Sequence, residues 1–125
     1  LNHRNVCELL PILAEDHPQT AGQKIVAWLG FDKKYVFGYN RFKTHPLQKQ
    51  FSHNKNRIYL HAEVDAITKF ISQYVEIWKA TMVVCRVSLG DLAACKPCES
   101  CIRAIVAFNI KRVYYSTNEG DFIRL

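Results

Sequence analysis

The stretch Thr81 to Val87 constrains the fold most: it is a nearly unbroken apolar run of strand length. Such a run, without polar alternation, is expected of a strand covered on both faces, and it predicts the centre of a sheet. Helical spacing supplies the covering layers. Val6, Leu9, Leu10 and Leu13 fall on one face of a helix over residues 5–15, which Pro11 would kink or shift at its start. From Leu60 to about Trp78 the apolar residues Val64, Ile67, Ile71, Tyr74, Val75 and Trp78 step by three or four, predicting a helix with one buried face and His61 and Glu63 in its first turn. Pro97 suits the first turn of a third helix, continued by Cys101, Ile105 and Phe108 to near Asn109.

The remaining apolar segments read as strands. Lys24–Leu29 and Tyr35–Tyr39 are rich in β-branched and aromatic residues and flank the turn-like Gly30-Phe31-Asp32-Lys33, predicting an antiparallel hairpin with Asn40 at its exit. Arg112–Ser116 is a further strand, and the turn Asn118-Glu119-Gly120-Asp121 leads to a short last one over Phe122–Leu125. Between hairpin and second helix, residues 41–57 are polar, basic and aperiodic, so they read as a long loop of the kind that often carries function. This order predicts an α/β fold: a three-layer α/β/α sandwich around a mixed central sheet of about five strands. No repeat or linker marks a boundary, and a chain of 125 residues with 49% hydrophobic content is expected to form a single domain over residues 1–125.

The formal charge of +6 favours anionic partners such as nucleotides or nucleic acid. No apolar run approaches the ~20 residues that span a bilayer, and the start of the chain lacks the layout of a secretion signal. The expectation is a soluble cytoplasmic protein without a membrane partner. Five cysteines is an odd count, and three of them crowd into Cys95–Cys101, a spacing suited to metal binding and not to a disulfide framework.

Chemistry concentrates in His61-Ala62-Glu63 and Pro97-Cys98-Glu99-Ser100-Cys101, each at the head of a predicted helix. A catalytic zinc site takes three protein ligands of imidazole and thiolate type and leaves a fourth position for water. His61, Cys98 and Cys101 meet that count. Two cysteines three apart lie on one side of a helix's first turn, where free N–H groups and the helix dipole favour thiolates. Glu63, just beyond coordination range, is placed to move protons between water and a leaving amine. A lone histidine or an isolated Cys-x-x-Cys is more often structural, but Glu63 and Pro97 beside the ligands favour a catalytic site.

The pattern His61-x-Glu63 with Pro97-Cys98-x-x-Cys101 resembles the signature of the zinc-dependent cytidine and deoxycytidylate deaminase superfamily, and the element order resembles it over about residues 5–116. The resemblance implies one zinc per chain, activating water for attack on the amine-bearing carbon of cytosine or adenine, with Glu63 as proton shuttle and ammonia leaving. It assigns Asn40 to the sugar, and with Ala62, Pro97 and the basic Arg41 and Lys43 completes a set of candidate substrate contacts. It also implies a homo-oligomer. The short antiparallel ending is like that of free-cytidine deaminases and unlike the longer ending of deoxycytidylate and tRNA deaminases. Cys95 adds a second Cys-x-x-Cys pair with Cys98, although Pro97 favours Cys98 and Cys101 as ligands.

The substrate expected is a free cytosine nucleotide or nucleoside. A base in single-stranded DNA or RNA, tRNA adenosine included, is the alternative, and a non-catalytic zinc-stabilised binding module a further one. Lys49, Lys55 and Arg57 extend the basic loop, and His45 and His53 are candidates for phosphate contact there. Phe42, Tyr115 and Phe122 wall the pocket or belong to the core. Cys7 and Cys85 are expected to pack as small apolar residues.

Overall fold

A computed structural model of the protein describes residues 2–17, 23–52 and 59–125. The predicted central strand is β3 (Thr81–Ser88). It pairs antiparallel along its length with β1 (Lys24–Phe31), in the register Val26↔Cys85 and Trp28↔Val83, and parallel with β5 (Arg112–Ser116) through Met82↔Val113. β2 (Lys34–Tyr39) closes the hairpin on β1, and β6 (Phe122–Arg124) pairs antiparallel with β5. The order is therefore β2-β1-β3-β5-β6, a mixed sheet. A three-residue strand, β4 (Asp91–Ala93), folds back on the end of β3 beyond the reach of β5 and brings the sheet to six strands.

Strand alternation sorts the side chains into two cores, because successive residues point to opposite faces. Val26, Trp28, Val83, Cys85 and Val87 face α1 (His3–Glu15), which lays Val6, Leu10 and Ala14 on them. Ala27, Leu29, Met82 and Val84 face the other way, toward Val64, Ile67 and Phe70 of α3 (Ala62–Gln73) and Ala104 and Ile105 of α4 (Glu99–Ala107). The layers are helix, sheet, helix, as expected. α1 runs through Pro11 and begins at His3, where the Asn2 side chain caps it by accepting from the Asn5 N–H at 2.9 Å.

Several boundaries differ from the sequence reading. The hairpin turn is reduced to Asp32 and Lys33, with Asp32 in the left-handed region at φ 52, which a short polar side chain tolerates. The basic stretch is not all loop: Pro46–Phe51 forms a short helix, α2, capped by His45, whose Nδ1 accepts from the Leu47 N–H. The second predicted helix ends at Gln73 instead of Trp78. Residues 74–80 are used to reverse the chain so that Thr81 can pair with Gly30 and Arg112, which leaves Val75 83% and Trp78 51% exposed. Pro97 lies one residue before the cap of α4, not within its first turn. Among the described residues no helix is long and apolar enough to cross a membrane.

Candidate active site

Both signature segments sit where a chain enters a helix on the same side of the sheet. His61 is the N-cap residue of α3 and Cys98 that of α4, and neither side chain caps its own helix. Both turn instead toward one point. His61 Nδ1 lies 3.2 Å from Cys101 Sγ and 3.5 Å from Cys98 Sγ, and the three candidate ligand atoms are all within 4.8 Å of one another. A tetrahedral zinc with ordinary Zn–N and Zn–S bonds separates its nitrogen and sulfur ligands by about 3.6 Å. The donor set and its spacing therefore fit zinc without rearrangement of the helices. Among the described residues this is the one cluster of that kind.

The electrostatics distinguish the two thiols. A hydrogen bond from the Cys101 thiol holds Cys98 down to about 3, while that same bond, with burial, pushes Cys101 well up. A helix N-terminus favours the thiolate at each position, and a cation held between them would favour it at both. His61 is raised, chiefly by its hydrogen bond to the Cys98 sulfur. Glu63, in the first turn of α3 and 6% exposed, is raised chiefly by burial.

His61, Glu63 and Cys98 line a cavity of about 410 Å³, large enough for a nucleoside or nucleotide, with Cys101 buried outside that lining. Of the candidate site residues, Asn40, Arg41, His61, Ala62, Glu63 and Cys98 line the cavity. Asn40 is held firmly: its Oδ1 accepts from the Ile25 N–H at 3.2 Å and lies 2.8 Å from His17 Nε2, and its Nδ2 donates to the Gln23 carbonyl. Arg41 Nε stands 3.5 Å from the buried carboxylate of Asp65, which also takes Lys69 at 3.0 Å and the Tyr39 N–H.

Other candidates fall elsewhere. Lys43 does not line the cavity; its carbonyl accepts the Leu60 N–H at 2.8 Å. Pro97 is buried and does not line the cavity. Phe42 borders the cavity, but Tyr115 packs on the α3 core and Phe122 on the α1 core. His45 is occupied as the cap of α2, and His53, Lys55 and Arg57 lie outside the described residues. Cys95 lines the cavity yet is not in the ligand cluster, and burial raises its thiol far up. None of the five cysteines is in a disulfide.

The structure adds lining residues that sequence reasoning missed: Gln23, Tyr59, Arg86 and Lys96. Arg86 had a signal, since it is the one charge inside the apolar run of β3. Its guanidinium donates to the Ala94 carbonyl at 3.3 Å, and its Nε is buried without a hydrogen-bond partner. Gln48, buried on α2, gave no signal.

The family model described as the cytidine and deoxycytidylate deaminase zinc-binding region matches residues 6–117. The chain belongs to this family. The matched span holds both signature segments and every strand but β6. Among solved structures, the cytidine deaminase from Burkholderia pseudomallei superposes with a TM-score of 0.70 at 16% identity, covering 100% of this chain and 92% of that one. The dCMP deaminase from the cyanophage S-TIM5 gives a TM-score of 0.63 both in apo form, at 18% identity, and in complex with dCMP and dUMP, at 17%. Both superpositions cover 90% of this chain, and 79% and 78% of the phage chains respectively. At these identities the likeness establishes the deaminase fold. No curated protein matches the chain at a significant level.

Proposed function

We propose that the chain is a zinc-dependent hydrolytic deaminase acting on the cytosine of a free nucleotide or nucleoside, giving the uracil product and ammonia. The observation that carries this reading is the convergence of His61, Cys98 and Cys101 beside a cavity that His61, Cys98 and the buried Glu63 line. Zinc held by these three residues supplies Lewis acidity that brings the pKa of water toward neutrality. Glu63 takes the proton released as water adds to the amine-bearing carbon and returns it to the departing amine, so that one water is consumed and one ammonia leaves. A carboxyl raised by burial is suited to both halves of that transfer.

In this reading Asn40 presents its remaining amide hydrogen to the sugar, and Ala62 forms the wall against the base, with Pro97 packed behind the ligands. Arg41, Arg86 and Lys96 give the cavity a positive lining that favours a monophosphate over a neutral nucleoside, while Lys43 contributes only at longer range. The solved relatives act on dCMP and cytidine by name, which supports the same substrate class. A cytoplasmic homo-oligomer completes the proposal.

The test is ammonia release from cytidine, deoxycytidine, their 5′-monophosphates and adenosine by the zinc-loaded protein. Turnover of a monophosphate with a lower KM than its nucleoside is expected; no turnover of any cytosine substrate removes the reading. One observation favours a second substrate class, a base in single-stranded nucleic acid. Phe42 and Tyr59, 54% and 48% exposed, meet edge to face at 5.4 Å on the cavity rim, where neighbouring bases could stack. A C-to-U change in an oligonucleotide, with the free compounds left untouched, would select it.

A further inference from the structure

The zinc ligands come from two helices, and an ion held between them is only as well placed as the contact that fixes those helices relative to each other. The two helices touch each other and share one core, and α2 bridges them from outside it. Gln48, on α2, is 0% exposed, an uncharged amide sealed inside the molecule. Its Oε1 accepts the backbone N–H of His61 at 3.0 Å. Its Nε2 donates to Ser52 Oγ at 3.4 Å, and Ser52 Oγ donates back to the Gln48 carbonyl at 2.7 Å, so the amide is tied at both ends.

The need for this bond follows from the chemistry of a helix start. An N-cap residue's own N–H is often satisfied by the side chain at the third helical position reaching back. In α3 that position is Val64, which has no acceptor, and Glu63 is turned into the cavity. Gln48 therefore supplies from outside the helix what the helix cannot supply itself. At its other end, α2 is clipped to the second ligand helix. Arg103, two residues after Cys101, donates from Nε to the carbonyl of Phe51 at 3.0 Å and from NH2 to that same oxygen. The Phe51 ring also packs against Phe108 at the end of α4, centroids 6.5 Å apart.

We infer that α2 is the strut of the metal centre, and that Gln48 and Arg103 are positioning residues that set the distance between His61 and the two cysteines. The inference rests on the proposed zinc reading. Hydrogen-bond partners that orient metal ligands typically change metal affinity by about 10- to 100-fold when removed, and Gln48 and Arg103 should behave as such partners although neither approaches the ligand atoms' own coordination sphere.

The experiment measures zinc affinity of the full chain by chelator competition, with Co(II) absorption as a second readout of ligand geometry. Gln48→Met is expected to weaken zinc by about 10-fold or more and to shift the Co(II) bands, while Gln48→Glu, which keeps an acceptor oxygen at that reach, recovers most of the loss. Leu10→Ala, a cavity in the α1 core on the opposite sheet face, is the control for general destabilisation and should leave zinc affinity unchanged. Should Gln48→Met fail to fold, Arg103→Met, a partly exposed position on α4 at the other end of the strut, is expected to give the same loss. In the double variant the two effects should fall short of additive, since both act through α2. Wild-type affinity in the Gln48 and Arg103 variants, or a loss no greater than that of Leu10→Ala, overturns the inference. A wild-type chain that binds no zinc overturns the underlying reading instead.

Discussion

Glu63 combines two properties that oppose each other. It is a carboxyl, which seeks solvent, and it is sealed against a cluster of sulfur and imidazole, where burial raises it. A folded chain has reason to tolerate that cost at a site where the group moves protons. Replacement by Gln keeps the volume and removes the base. Glu63→Gln is expected to retain one zinc per chain and a melting temperature at or above wild type, while deamination falls by about 10²- to 10⁴-fold; metal analysis beside the ammonia assay checks both. A variant that loses zinc and activity together would place Glu63 among the ligands. The thiols offer a second check. Burial raises all three thiols, Cys85 to about 12 and Cys95 well up, but Cys7 alone is partly exposed, on α1. In the zinc-loaded protein at pH 8, alkylation should therefore reach Cys7 first and leave Cys85 and Cys95 unmodified until the chain unfolds. Modification of Cys95 at the rate of Cys7 would contradict its buried placement. The candidate metal residues were legible in the sequence because so few residue types bind zinc that their spacing alone is informative. Gln48 was not, since a neutral amide in a polar stretch looks the same whether it is solvated or buried, and only the tertiary fold tells the two apart.

At the scale of elements, the site depends on how closely α3 can approach the sheet. Gly38 in β2 permits it: a Cβ there would lie 2.3 Å from both the Ala62 carbonyl oxygen and the Ala66 nitrogen, backbone atoms of the first turn of α3. Neither neighbour can rotate away, so Gly38→Ala must push the helix, and His61 and Glu63 with it, off the strand. Overpacking of this kind costs about 1–3 kcal/mol, with the upper end expected where backbone is the obstacle. Urea unfolding should show the loss in stability, and zinc affinity should fall with it. A Gly38→Ala variant that unfolds at the wild-type midpoint would mean that the helix is not seated as described. The same scale shows why element boundaries were less legible than element identity. The apolar spacing over residues 60–78 continues past Gln73, but pairing of Thr81 with two neighbouring strands forces the chain to turn early, and Val75 and Trp78 end up outside. α2 escaped notice because six residues carry too little periodicity; its cap by His45 and Pro46 in its first turn were the only local signs. β4 is shorter still and follows Leu89 and Gly90, both at positive φ, so it is defined by pairing with β3 and not by its own sequence.

For the molecule as a whole, the two cores are unequal. The α1 core is closed by apolar contact, whereas the core beneath α3 and α4 is bordered by a ligand cluster that joins the two helix starts. A metal bound to the folded chain and not to the unfolded one stabilises it by about 2.7 kcal/mol at a hundredfold excess over its dissociation constant. For a chain of this size each kcal/mol shifts the melting temperature by roughly 2–8 °C, so chelation of zinc should lower it by about 5–20 °C, reversibly on adding zinc back. The loss should also be local. Without an ion, the two sulfurs are left facing each other beside a buried carboxyl, and the first turns of α3 and α4 lose what holds them together. Hydrogen exchange of the apo protein is therefore expected to accelerate at the amides of residues 61–66 and 98–102 while α1 and the β1–β3 ladder keep their protection, since local opening follows the contacts that are lost. Equal loss of protection in α1 would make the metal a support for the entire fold, and no loss anywhere would deny it a place between the helices.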